Sequence, residues 1–127
     1  MTDAERVALI ERYLLAYNTF DVDGMLATLT DDVRFENWSG QVLNASSSGS
    51  AAFRALAEQG KAMFAEREQR ITALVPRSDA VMASIAWRGR LAVDIPDGPP
   101  AGTRLELDGE SEFTFRGDRI AGIVDRS

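Results

Sequence analysis

Cysteine and histidine are both missing from the chain, and each absence removes a class of chemistry. Without thiols there are no disulfides, no thiolate nucleophile and no thiolate-held zinc or iron–sulfur cluster. Without imidazole there is no Ser-His-Asp triad, no histidine general base and no histidine metal ligand. Acid–base work then falls to carboxylates, Tyr or Lys. Positive charge is scarce: 14 Lys and Arg against 20 Asp and Glu give a formal net charge of −6. That balance repels phosphate backbones and argues against nucleic acid as a partner. No apolar run approaches the ~20 residues of a membrane-spanning helix, and the opening MTDAERVALIERY lacks the basic region and apolar stretch of a secretory signal. A soluble cytoplasmic protein with no membrane partner is expected.

What is present reads as one domain. At 127 residues, 45% hydrophobic and 27% charged, the chain matches the common size and composition of a single globular unit spanning residues 1–127. Thr2-x-x-Glu5 has the form of a capping box, and Val7, Ile10, Leu14 and Tyr17 follow at helical spacing. A first helix is predicted from about Asp3 to Thr19. Asp21 caps a second, short helix carrying Met25, Leu26 and Leu29, and Asp31-Asp32 ends the pattern. Val33, Phe35 and Asn37 then alternate with Arg34, Glu36 and Trp38 as a first strand closed by Ser39-Gly40.

Ser46 to Ser50, SSSGS, reads as a flexible connection whose last serine caps a third helix with Phe53, Leu56, Ala57, Gly60 and Phe64 on one face. Gly60 suggests a close approach to the sheet. From Glu68 the period changes to two, and turn signals at Arg77-Ser78-Asp79, Pro96-Asp97-Gly98 and Arg116-Gly117-Asp118 divide the remainder into a meander of four strands. In the third of these, Leu105, Leu107, Gly109, Ser111, Phe113 and Phe115 alternate with Arg104, Glu106, Asp108, Glu110, Glu112 and Thr114. The fold class expected is α+β, with three helices closing one side of a curved antiparallel sheet around a mostly apolar pocket.

This order of elements resembles the nuclear transport factor 2-like superfamily, in particular its SnoaL-like and ketosteroid-isomerase-like branches. The resemblance rests on RYLLAYNTFDVDGMLATLTDDVRFENWSG from Arg12 to Gly40, above all on Arg12-Tyr13, Asp21-x-Asp23-Gly24 and Asp31-Asp32 ahead of a strand. It implies a cone in which the sheet wraps around the helices, an open end that admits a ligand, and a homodimer formed through the outer sheet face. The superfamily holds isomerases, cyclases, dehydratases and non-catalytic binding proteins, so the fold does not choose among activities.

Ketosteroid isomerases abstract a proton with an aspartate and hold the oxyanion with a tyrosine and a protonated acid. By the resemblance, the tyrosine falls on Tyr13, the base on Asn37 and the second acid on Ser111. An amide accepts no proton, so the family's route is disfavoured. Strand alternation sends Glu36, Glu110 and Glu112 to the outer face if Asn37 and Ser111 look inward. Asp125, in GIVDRS, is expected to be a solvated carboxylate, with a place at the cone mouth as the alternative. Tyr13 and Asn37 each have a purely structural alternative, as core tyrosine and turn residue.

Tyr17, Trp38, Met63, Trp87 and Phe113 are candidates to line the pocket, though such side chains also simply pack. The functional expectation is a binding protein for a small, neutral, mostly apolar molecule, or a cyclase- or isomerase-like enzyme, with no cofactor implied. The alternative is a non-catalytic dimeric scaffold whose pocket is filled by its own side chains.

Overall fold

The computed structural model describes residues 1–127. Helix α1 (Asp3–Asn18) starts at the expected capping box: Glu5 N–H donates to Thr2 Oγ1 at 3.1 Å, and Thr2 N–H donates to Glu5 Oε1 at 3.0 Å. It buries Leu9, Ile10, Tyr13, Leu14 and Ala16, one stripe of an amphipathic helix. Helix α2 (Val22–Ala27) is capped by Asp21, whose carboxylate accepts from Gly24 N–H at 2.9 Å. Helix α3 (Ser50–Met63) begins one residue earlier in character than expected: its N-cap is Gly49, with no side-chain cap, and Ser50 is the first helical residue.

Six strands follow the order β1 (Leu29–Ser39), β2 (Val42–Ser48), β3 (Phe64–Pro76), β4 (Ala80–Leu91), β5 (Arg104–Arg116) and β6 (Arg119–Arg126). They form one sheet in the spatial order β2-β1-β6-β5-β4-β3. The three expected turn regions separate β3 from β4, β4 from β5 and β5 from β6. Several points differ from the sequence reading: Leu29, expected on α2, and Asp31-Asp32, expected to end that helix, lie in β1, and Phe64, expected on α3, opens β3. The serine-rich segment taken as a flexible connection is largely strand β2, paired antiparallel to β1 from Arg34↔Ser48 to Ser39↔Val42. Serines there sit on a sheet edge, where ladder bonds to β1 outweigh a composition that favours loops. The sheet is also mixed, because β1 runs parallel to β6 while every other pairing is antiparallel. A hairpin fixes antiparallel direction between consecutive strands, but nothing local fixes it between the first strand and the last.

The core fills the concave side of this sheet. Ile10, Tyr13 and Leu14 of α1 and Phe53 of α3 meet Val33, Val81, Ala83, Ile85, Phe113, Ile120 and Ile123 from the strands. Asn18 fastens the end of α1 to β3 by giving its Nδ2 to Gln69 O at 3.2 Å and taking Gln69 N–H at 2.8 Å, as a neighbouring strand would. No helix is long and apolar enough to cross a membrane.

Candidate functional site

Between α1, α3 and the concave sheet face lies a cavity of about 500 Å³. Its inner walls are apolar, with Met25, Phe35, Phe53, Leu56 and Ile85 among the lining residues, and it opens near the exposed Met63 and Ser127. The size lies in the range of small-molecule sites.

One polar group of the wall is a row across three strands. Asn37 of β1 stands beside Asp125 of β6, and Asp125 stands beside Ser111 of β5. All three line the cavity. Ser111 Oγ donates to Asp125 Oδ1 at 2.6 Å, a short bond of the kind a carboxylate acceptor makes. Burial nevertheless dominates: removal of solvent raises the Asp125 pKa to about 6 from 3.8, and the Ser111 hydrogen bond only partly offsets it. Above this row, Tyr13 is 3% exposed and packs edge-on against Phe113. Its phenol pKa is driven well up by burial and next by the Asp125 charge, so the hydroxyl keeps its proton at neutral pH. The side-chain hydrogen bonds around the cavity do not include that hydroxyl.

The opposite wall is organised by Arg67 of β3. Its guanidinium lies over two aromatic rings, 3.7 Å from the Tyr17 centroid and 4.7 Å from that of Phe20. Phe20 reaches it from a left-handed backbone conformation, φ 59°, a costly one for a bulky residue. Arg67 Nε donates to Tyr17 O at 3.1 Å, and Trp87 Nε1 donates to the Tyr17 hydroxyl at 2.9 Å. Trp87 lies against Phe64 with ring centroids 5.3 Å apart, over the space that a side chain at position 89 would need: a Cβ on Gly89 would fall 2.8 Å from the indole. The close approach expected at Gly60 is made by Arg67, whose Nη1 would be 3.3 Å from a Cβ there. Burial pulls the Arg67 pKa down, yet a guanidinium stays charged in proteins.

The candidates from sequence thus divide. Tyr13, Tyr17, Asn37, Met63, Trp87 and Ser111 are brought to the cavity wall. Trp38 and Phe113 are not. Trp38 points to the other face of β1, where its Nε1 donates to Glu36 Oε1 at 2.8 Å, because alternation separates it from Asn37. Phe113 is 1% exposed and belongs to the core behind Tyr13. Glu36 and Glu112 take the outer side as expected, Glu112 pairing with Arg126 at 3.2 Å, whereas Glu110 reaches the cavity rim.

Asp125 is not the solvated carboxylate expected, since the residue is half-buried and lines the cavity between Asn37 and Ser111. The signal for it was Ile123, fully buried two residues before and therefore on the same face. Arg67 was missed altogether, though its alternation with Gln69 and Ile71 marks an inward face. No group of three or more carboxylates converges in a way that would hold a metal ion.

Solved structures share the architecture. A proposed polyketide cyclase of Xanthomonas campestris is 23% identical, with a TM-score of 0.82 over 98% of this chain and 90% of that one. AclR of Streptomyces galilaeus, a proposed hydroxylase, is 21% identical, with a TM-score of 0.77 over 98% and 89%. A Catenulispora acidiphila protein with a ketosteroid isomerase-like fold, in complex with trimethylamine, is 14% identical, with a TM-score of 0.75 over 92% and 82%. No match is found among curated proteins. At these identities the likeness is one of fold. The family model of the SnoaL-like domain matches residues 10–123, nearly the whole sequence, and the chain belongs to that family.

Proposed function

We propose that this chain is a cyclase- or isomerase-like enzyme that binds a mostly apolar carbonyl compound in its cavity and moves a proton with Asp125. The observation that carries the reading is a half-buried carboxyl on the wall of a mostly apolar cavity, its pKa raised to about 6, a value suited to a base that is largely ionised yet still basic at neutral pH. Asn37, at the position of the family's base, cannot accept a proton, and its neighbour across the parallel ladder can.

In this mechanism the Asp125 oxygen not bonded to Ser111 takes a proton from the carbon next to the ligand carbonyl. The electron pair moves onto the carbonyl oxygen, and that oxyanion accepts a hydrogen bond from the Tyr13 hydroxyl, with the Asn37 amide as second donor. Return of the proton to another carbon gives an isomer. Attack of the enolate carbon on a second carbonyl of the same molecule closes a ring, and the Asp125 proton then goes to the new alkoxide. Ser111 holds the carboxylate in place and moderates its basicity.

The cavity volume of about 500 Å³ speaks against a pocket filled by its own side chains. A homodimer through the outer face of the sheet is the setting that the family resemblance implies for this reading. The test is deuterium exchange at C1 of 2-tetralone, followed by NMR in D2O. Wild-type protein should accelerate exchange over buffer, and Asp125→Asn should lose about 100-fold or more of that acceleration. Exchange at the buffer rate, in samples where the ketone quenches tryptophan fluorescence, would remove the catalytic reading and leave a binding protein.

A further inference from the structure

The proton-transfer row occupies one wall of the cavity and leaves the other wall unexplained. There Arg67 is 6% exposed, and none of the ion pairs in the structure includes it. Nε–H is satisfied by the last-turn carbonyl of Tyr17, so the side chain also supplies the positive charge that the final turn of α1 lacks. That role accounts for one edge of the fork only. Nη2 is buried with no hydrogen-bond partner, and Nη1 points toward Gly60, where the absence of a side chain leaves room.

A buried guanidinium with unpaired N–H groups is costly, and three further features keep it so. The guanidinium lies over the Tyr17 and Phe20 rings, which favours the cation while leaving its N–H edges to bond something else. Phe20 holds a strained backbone to do this. Gln69 lines the same wall, and the acids of the cavity stand on other strands: Glu110 at the rim is two strands away on β5, and Asp125 is three away in the order β6-β5-β4-β3. Three spacings correspond to roughly 14 Å along the sheet. The cavity therefore has a carboxyl at one wall and an unpaired guanidinium at the other, with apolar surface between.

We infer that the molecule bound here is a largely apolar, ring-sized compound bearing one planar oxyanion, a carboxylate or an acidic enol, which Arg67 receives while the reacting carbon faces Asp125. The inference rests on the reading of the cavity as a ligand site, and it replaces the neutral ligand expected from sequence with a singly acidic one. Fork-shaped donors match a planar oxyanion in two parallel bonds, so Arg67 sets the direction in which the compound enters and hence which carbon meets the base.

The test is a binding titration with two matched tricyclic probes, anthraquinone-2-carboxylate and anthraquinone-2-carboxamide, read by quenching of tryptophan fluorescence at neutral pH. The carboxylate should bind wild-type protein at least about tenfold more tightly than the amide, a charge-assisted bidentate bond being the difference. Arg67→Met, which keeps the length of the side chain, should abolish that preference, and the exposed Arg70→Gln should retain it. Arg67→Lys keeps the charge without the fork and should recover only part of it. Equal binding of both probes by wild-type protein would overturn the inference and leave the cavity a ligand site. Failure of both probes to bind at millimolar concentration would overturn the inference together with the reading beneath it. Where Arg67→Met does not fold, judged by circular dichroism, the wild-type comparison and Arg67→Lys decide the matter.

Discussion

Asp125 and Asn37 are neighbours across the sole parallel ladder of the sheet, so a residue that can hold a proton stands directly beside one that cannot. In the proposed mechanism the division of labour follows from that adjacency: Asp125 would take protons and Asn37 donate a hydrogen bond, while the Ser111 hydroxyl on the far side bonds the carboxylate.

The enclosed carboxyl makes stability depend on pH in a defined direction. Asp125 has a folded-state pKa of about 6 against 3.8 for the free group, so the native state holds its proton more tightly than the unfolded chain does. Its favourable contribution is present below about pH 4 and is lost as pH rises through 6. The shift corresponds to at most about 3 kcal/mol. Melting of Asp125→Asn followed between pH 4 and 8 should lack this fall; a wild-type and variant difference that does not change with pH would contradict the burial of the charge.

Removing the Ser111 hydroxyl should raise the apparent pKa of Asp125 further, because that hydrogen bond favours the ionised form. Ser111→Ala should shift the acid limb of any pH–rate profile upward and lower stability by about 1–3 kcal/mol. A profile unmoved from wild type would count against Asp125 as the titrating group.

Tyr13→Phe separates catalysis from packing. The phenol ring is buried among Phe53 and Phe113, and these contacts survive the substitution, so stability should change by no more than about 1 kcal/mol. Proton-transfer rate should fall by about 100-fold or more, as for loss of one oxyanion donor. Comparable rates from a folded variant would show that the hydroxyl takes no part.

Phe113→Ala should do the reverse. The ring is core, and its truncation should cost about 3–5 kcal/mol in chemical denaturation. Gly89→Ala should act through the indole: its Cβ would sit 2.8 Å from Trp87, forcing the ring away from the Tyr17 hydroxyl and shifting the tryptophan emission. An unchanged spectrum with unchanged stability would mean that the indole has room to move.

Much of the frame was legible because it is local. The capping box at Thr2, the Asp21 cap and the turn at Arg116-Gly117-Asp118 are set by residues within a few positions of one another. What escaped was long-range. Strand β2 exists because β1 offers it a ladder, which serine-rich composition does not announce. Asp125 was obscured because Ile120 and Ile123 are both fully buried yet lie on opposite faces of a regular strand; a register shift between Thr114 and Phe115 on the neighbouring strand reconciles them. Arg67 was hidden for another reason. A lone arginine in a run of charges reads as surface, and only the converging rings of Tyr17 and Phe20, some fifty positions earlier, take it inside.

The parallel pairing of β1 with β6 also sets when the site comes into being. Asn37 and Asp125 belong to the first and last strands, and closing so long a loop is an entropically late step relative to the hairpins between them. Helix α1, the β3–β4 hairpin and even the Arg67 wall are built from residues that precede β6 and do not need it. Until that strand slots in beside β1 the Asn37–Asp125–Ser111 row does not exist, so the chemistry proposed for it would arrive only with the final act of folding.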